Sequence, residues 1–265
     1  MPDTIFNLQE GVTIFKTILT YPFAIISTRK QLLNYPFTDA DNGKTYSGTI
    51  LGIAQQLFDE GYFTVTKGAI SCACRRIPTM YLNLFLQHRF KKSFKVEKDA
   101  SNLKKFLSNI VIGGLAGATT LAVLHGVERW QLSTTLPPKC VTEPTTYYNM
   151  YSGFGISAFG IFFSRGLYLF FHNMAKGSVD LTSGWSKFAL GTVVGLISYP
   201  LDTIRKTQIV NCCTIPKAIS IINDNPDGLW EGYMGGWKER VLIGLAIRYV
   251  YIGIDHLVEI AFQKE

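Results

Sequence analysis

The sequence predicts an all-α membrane protein with six transmembrane helices in three pseudo-threefold repeats, and three observations carry that expectation. Charged residues make up only 17% of the 265 positions, against 47% hydrophobic. Soluble domains carry roughly a quarter charged residues, so this chain has too few to solvate an ordinary surface. Six weakly charged stretches, at 8–33, 69–92, 105–132, 154–176, 184–210 and 237–262, each approach or exceed the ~20 residues that a bilayer core requires of a helix. Finally, one short motif recurs at the ends of alternate stretches. The abundance of aromatic residues, 13%, excludes a disordered chain.

Each stretch is read as a helix, because lipid tolerates no open strand with unpaired backbone groups. The connections alternate. Long polar segments at 34–68, 133–153 and 211–236 follow the odd spans, and short ones at 93–104 and 177–183 follow the even spans. The spans therefore pair as three hairpins, giving repeats at 1–104, 105–180 and 181–265, with both chain ends on one side. The second repeat is the shortened one. Its segment TTLPPKCVTEPTTYY breaks any helical period, so a surface helix present in the other repeats is expected to be lost there. Lysines lie on both sides (Lys44, Lys67, Lys139 and Lys217 against Lys95, Lys98, Lys104 and Lys105) and set no orientation. The start, MPDTIFNLQE, reads as neither a secretory signal nor a transit peptide, so targeting is expected to be internal. Cys72, Cys74, Cys140, Cys212 and Cys213 have no framework spacing and read as free thiols.

The recurring motif is clearest in SYPLDTIRKTQ at 198–208, with counterparts TYPFAIISTRKQ at 20–31 and LHGVERWQLS at 124–133. Equivalent positions are Pro22, Ala24 and Ser27, then Gly126, Glu128 and Gln131, then Pro200, Asp202 and Arg205. A proline inside a helix removes one backbone hydrogen bond and kinks it, so Pro22 and Pro200 are expected kinks. An acid and a base three residues apart share one face, which lets neighbouring helices lock by ion pairs. Gly113/Gly117 and Gly191/Gly195 supply small-xxx-small faces for close helix approach. The first span lacks such a pair upstream of Pro22 and is expected to pack more loosely.

PLDTIR resembles the PxDxxR signature of the mitochondrial carrier family. YSGTILGIAQQLFDEGYFTVTKG at 46–68, RRIPTMYLNLFLQHRFKK at 75–92, GGLAGATTL at 113–121 and YSGFGISAFGIFFSRGLYLFFHNMAKG at 151–177 are similar to ADP/ATP carriers in particular. The resemblance covers nearly the whole chain. It implies the mitochondrial carrier fold, a six-helix barrel in the inner mitochondrial membrane with both ends in the intermembrane space, and two rings of interhelical ion pairs that close the cavity alternately.

Against that pattern the charges are depleted. On the matrix side Glu128, Asp202, Arg205, Gln131 and Ser27 remain, with Glu128 expected to pair with Arg205, Asp202 to face Ser27, and Ala24 to face Gln131. On the intermembrane side the resemblance picks out His88 and Lys91, Asn173 and Lys176, Asp255 and Val258, leaving only Lys91 with Asp255. The substrate-cavity candidates are Arg75 and Arg165, which match cationic positions of the family, together with Arg248 and Lys16, which lie off register. Thr17 occupies the family's first-span lysine position, and a one-residue offset turns a helix by about 100°. Ser164 replaces an aromatic that would stack on adenine, and Ile243 stands for a sixth-span arginine.

These departures predict a degenerate carrier that no longer exchanges nucleotides and serves as an accessory subunit of a large inner-membrane, respiratory-chain assembly. The rival reading is an active exchanger of a nucleotide or another anion. No Gly-rich phosphate loop, nucleophile elbow or HExxH is present, so an enzyme is not expected. His88, His172 and His256 fall at like ends of the even spans, but their offsets differ and no metal is expected. No cofactor is expected either. The positive balance, +7, suits anionic lipid better than nucleic acid, because the basic residues are dispersed along a membrane chain. Cardiolipin is expected at helix starts near Gly68–Ala69 and Gly153–Phe154, where exposed amides hold phosphate.

Overall fold

The computed structural model describes residues 2–33, 37–38, 44–94, 102–137, 140–141, 150–175, 183–226 and 228–262. The architecture is all-α apart from one small hairpin. In chain order the elements are α1 (Pro2–Leu32), β1 (Phe37–Thr38), β2 (Thr45–Tyr46), α2 (Ile50–Glu60), α3 (Tyr62–Ser93), α4 (Asn102–Thr135), α5 (Phe154–Ala175), α6 (Gly184–Ile197), α7 (Tyr199–Asn211), α8 (Ile215–Asn223), α9 (Leu229–Met234) and α10 (Trp237–Phe262). Among the described residues, Phe106–Thr135 and Phe154–His172 are long and apolar enough to cross a membrane by composition, and Trp185–Ile197 is a shorter apolar helix. The other long helices carry polar and charged residues, such as Arg75 and Arg76 on α3, which lower their mean hydropathy.

Several expectations are corrected by local chemistry. The fifth span is two helices meeting at Ser198, with Pro200 in the first turn of α7, where its missing N–H has no intrahelical partner to lose. Pro22 lies inside α1, and α3 contains a second internal proline, Pro78, that the repeat comparison did not single out. With Gly126 in place of proline, α4 runs through without a break. The second hairpin helix begins at Tyr62, after Gly61 ends α2 at φ 89°. Gly68 and Ala69 are thus buried inside a helix, and their amides are not the exposed helix start that a phosphate needs. The antiparallel hairpin, with Phe37 opposite Tyr46 and Thr38 opposite Thr45, is an unexpected strand pair within the polar 34–68 segment. The segment expected to have lost its surface helix falls mostly outside the described residues.

The chain forms two compact units, 1–74 with 131–138 and 235–265, and 75–130 with 139–234. The first joins α1, α2, the start of α3, the last turn of α4 and α10. Its apolar centre is Tyr21, Ile25, Ile26, Ile53, Leu57, Ala69 and Ile243. α1 packs along α10, so the first span is well packed despite lacking the small-residue pair. Close approach is made instead at Gly68, where any Cβ would overlap the Tyr21 ring. Tyr21 Oη shares a hydrogen bond with Thr135 Oγ1 at 3.0 Å, and Ser71 Oγ one with Thr134 Oγ1 at 2.8 Å.

Arg29, fully buried, is the polar anchor of this unit. Its two terminal nitrogens donate to Glu60 Oε1 and Oε2 at 2.6 Å each, and Nε donates to the Thr135 carbonyl at 2.9 Å. This parallel two-point geometry is the strong form of an arginine–carboxylate pair. Outside it, Lys44 and Tyr46 both donate to Asp59 Oδ2, at 3.1 and 2.8 Å, tying the hairpin to α2.

In the second unit, α4 and α5 meet at small residues as expected for Gly113 and Gly117. A Cβ at Gly114 would overlap the Phe162 ring, and one at Gly117 would press on Ile161. The Gly191/Gly195 pair does not repeat this. A Cβ at either would meet nothing within 4 Å, because α6 turns that face outward with Trp185, Val193 and Ile197 exposed.

Replacing Glu60 by Ala leaves Arg29 buried without its counter-ion and is expected to cost about 3–5 kcal/mol, read as a lower thermal midpoint in mild detergent. The hairpin tether carries a pH signature. Tyr46 and Lys44 hold the Asp59 carboxyl below its usual 3.8, and Asp59 holds Lys44 above 10.5. A lowered acid contributes above its unfolded value and fades as pH falls through the folded one, and a raised base fades as pH rises through its folded value. The Tyr46 ring resonances are therefore expected to stay constant between these limits and to move at both extremes.

Candidate functional site

Two arginines of the second unit converge on Glu128, which α4 buries. Arg75 from α3 donates Nη1–H to Glu128 Oε1 at 2.7 Å. Arg205 from α7 pairs through Nη2 with the same oxygen. Glu128 Oε2 is buried and accepts no hydrogen bond. α7 places Asp202 one turn before Arg205 and Lys206, so Asp202 pairs along its own helix, with Lys206 Nζ at 2.9 Å and Arg205 Nη1 at 3.5 Å. Among the described residues, three cations thus meet two carboxylates.

The expected Glu128–Arg205 pair is present. Arg75, expected as an open cavity cation, is instead engaged by the gate carboxylate. A buried acid in a low-dielectric span attracts every cation within reach, and the long arginine side chain from α3 reaches it. In the first unit Ser27 is buried and Ala24 is exposed. Gln131 holds the Thr134 and Thr135 hydroxyls on its carbonyl at 2.8 Å each.

The remaining candidates are spread apart. Lys16 sits over the Tyr251 ring at 5.1 Å, a cation–π contact, while Thr17 is buried. Arg165 on α5 extends along Gly113 of α4, whose added Cβ would lie 3.8 Å from Nη1. Ser164 donates to the Ile161 carbonyl on its own helix at 3.2 Å. Arg248 is half-buried on α10, and Ile243 belongs to the apolar centre of the first unit. Lys91 and His88 are exposed near the end of α3. Lys176 and the side chains of Asn173, Asp255 and Val258 lie outside the described residues, as does that of His256. Gly153, at φ 84°, packs on Ile209 and leads directly into α5 at Phe154.

A second polar group lies at the end of α7. Buried Arg129 donates to the Ile209 carbonyl at 2.5 Å and to Cys212 Sγ at 2.7 Å. Cys212 ends the helix in the left-handed region at φ 49°. Ser152 Oγ donates to the Cys213 carbonyl at 2.9 Å and the Gln208 carbonyl at 3.2 Å. His125 Nε2 lies 3.0 Å from the Ser152 carbonyl, which only accepts, so that nitrogen carries the proton. These side chains satisfy carbonyls that a helix end leaves open. Burial pushes the Cys213 thiol up, keeping it protonated. Motif comparison passed over Arg129, although an arginine next to an acid within a weakly charged span signals a paired partner.

No family model matches the chain. Among curated proteins it is 29% identical over 194 residues to an ADP,ATP carrier protein of Neurospora crassa, covering 63% of this chain and 62% of the relative. It is 27% identical over 257 residues to a mitochondrial ADP,ATP carrier protein of Solanum tuberosum, covering 83% and 65%. A mitochondrial substrate carrier family protein of Dictyostelium discoideum is 26% identical over 192 residues, covering 63% and 62%. The chain is similar to proteins of the mitochondrial carrier family. It spans just under two thirds of the length of these relatives. The helical frame and the Glu128–Arg205 pair agree with the sequence motifs, while Arg75 on Glu128 and Arg129 on α7 emerge only in three dimensions.

Arg129→Ala removes a charged donor from a buried carbonyl, and such bonds contribute about 1.5–3 kcal/mol. The substitution is expected to speed amide exchange at the α7 end, measured at 208–213, with little change in α5.

Proposed function

We propose that this carrier-family chain is a multi-pass protein of the inner mitochondrial membrane that does not exchange nucleotides and acts as an accessory, structural subunit of a large respiratory-chain assembly. One observation carries the reading: Arg75, the described arginine best matched to an anion contact, is taken up by Glu128. A polyphosphate needs fixed cations with hydrogen-bonding capacity to spare. An internal carboxylate lowers that capacity before any substrate arrives. Ser164 offers no ring for adenine, and Ile243 offers no charge, which supports the same conclusion.

Other subunits of such an assembly are the proposed protein partners, with no role in nucleic-acid binding, catalysis or metal binding. Anionic phospholipid, cardiolipin included, is proposed at Gly153–Phe154, where α5 begins. The names of the relatives favour a second reading, in which the chain exchanges a nucleotide or another anion through Arg75, Arg165 and Arg248.

Counter-exchange separates the two. The full chain, reconstituted in cardiolipin-containing liposomes, is expected to move labelled ADP, ATP, phosphate and dicarboxylates no faster than empty liposomes, while the Neurospora carrier exchanges nucleotide in parallel. Brisk exchange by this chain overturns the structural reading. In mild detergent it is expected to migrate with a large membrane complex at fixed stoichiometry, and migration only as a free protein counts against that reading.

A further inference from the structure

We infer that the adjacent thiols Cys212 and Cys213, at the end of α7, form a site of oxidation by hydrogen peroxide, with Cys212 the sulfur attacked first. Cys212 lies at φ 49° and ψ 42°, and among the described residues it is the one non-glycine with a positive φ. Glycine usually fills that position after a helix, because a Cβ is strained there. The cysteine makes a contact that glycine lacks: its Sγ accepts a hydrogen bond from Arg129 Nη2 at 2.7 Å. Arg129 is 7% exposed, and Nη1 of the same guanidinium donates to the Ile209 carbonyl, which fixes the cation against the sulfur.

Reactive thiols sit in electropositive, partly exposed surroundings, whereas burial among apolar groups leaves a thiol inert. Half-buried Cys212 fits the first description and buried Cys213 the second. An acceptor stands beside the pair. Gln208, itself buried, donates Nε2–H to the Cys213 carbonyl at 3.2 Å, and Oε1 of that carboxamide is buried with no hydrogen bond. Hydrogen peroxide and a sulfenic acid each bring the O–H that this oxygen lacks, while a thiol is only a weak donor. In the first step the Cys212 sulfur attacks one peroxide oxygen, so the S–O bond forms as the O–O bond breaks. Sulfur loses two electrons, and the departing oxygen takes up the thiol proton and leaves as water. Arg129 stabilises the negative charge that gathers during this cleavage. The Cys213 thiol then attacks the sulfenic sulfur: the S–S bond forms, the S–O bond breaks, and the oxygen leaves with the Cys213 proton as a second water. A ring closed between neighbouring residues is strained, so added thiol reopens it.

The test treats the full chain in phosphatidylcholine nanodiscs with hydrogen peroxide and follows its peptides by mass spectrometry. The 212–213 pair is expected to lose two hydrogens, restored by dithiothreitol, about ten times faster than Cys140, itself half-buried in another long connection, is oxidised. Cys213→Ser is expected to stop at the sulfenic acid, captured on Cys212 by dimedone. Arg129→Gln is expected to slow the reaction of Cys212 about tenfold, and Arg129→Lys to restore most of the rate. Oxidation of Cys212 no faster than that of Cys140 overturns the inference, as does a natively melting Arg129→Gln protein that reacts at the parental rate. Capture of dimedone on Cys213 in Cys212→Ser at the parental rate also overturns it, by assigning the attack to the buried thiol. Should Arg129→Gln lose its thermal transition, the rate of Cys212 in Cys213→Ser against that of Cys140 decides alone. The readout is mass at single residues, so it stands or falls independently of whether the chain exchanges anions.

Discussion

A buried carboxylate that two arginines share is the constraint on which the second unit turns. Glu128 cannot remain ionised in a weakly charged span without a counter-ion, since an uncompensated charge there costs several kcal/mol. Arg205 and Arg75 meet that demand together. Asp202 pairs along its own helix, more closely with Lys206 than with Arg205. The electrostatics of the cluster is thereby closed inward, which differs from a cavity whose cations wait for an anionic ligand.

The first unit solves a similar problem with better geometry. Arg29 has no exposure and gives Glu60 two parallel hydrogen bonds while its third donor satisfies the end of α4. This arrangement joins three segments distant in sequence, in the same unit as the apolar centre around Tyr21, Ile25 and Ile53. Arg129 plays the corresponding part for the end of α7, using backbone carbonyl and thiol acceptors in place of a carboxylate. Buried Arg29 and Arg129 thus serve as structural bolts within their own units.

Legibility in the sequence varied with the range of the interaction. Among the described residues, α4 and α5 follow from hydrophobic length alone, because a bilayer makes backbone self-satisfaction obligatory. The Glu128–Arg205 pair was readable from motif equivalence, and Ser164 and Ile243 from register. Arg75 on Glu128 was not, because a side chain that matches a known contact position carries no mark of what else lies within its reach. The Gly191/Gly195 pair misled for the opposite reason: small residues permit close approach but do not summon a neighbour. At Ser198 the motif comparison marked a kink, where the chain makes a full stop and restart.

Sequence alone therefore determined the helical class, the repeat of three motifs and the shortage of charge, since each depends on residue type and spacing within a single segment. Tertiary structure decided where the surviving charges spend their hydrogen bonds: Arg75 with Glu128, Arg29 with Glu60, Arg129 with the end of α7. The physical reason is distance. Coulomb and hydrogen-bond energies are settled over a few ångströms between groups that lie many residues apart along the chain, and only the folded packing brings those groups together.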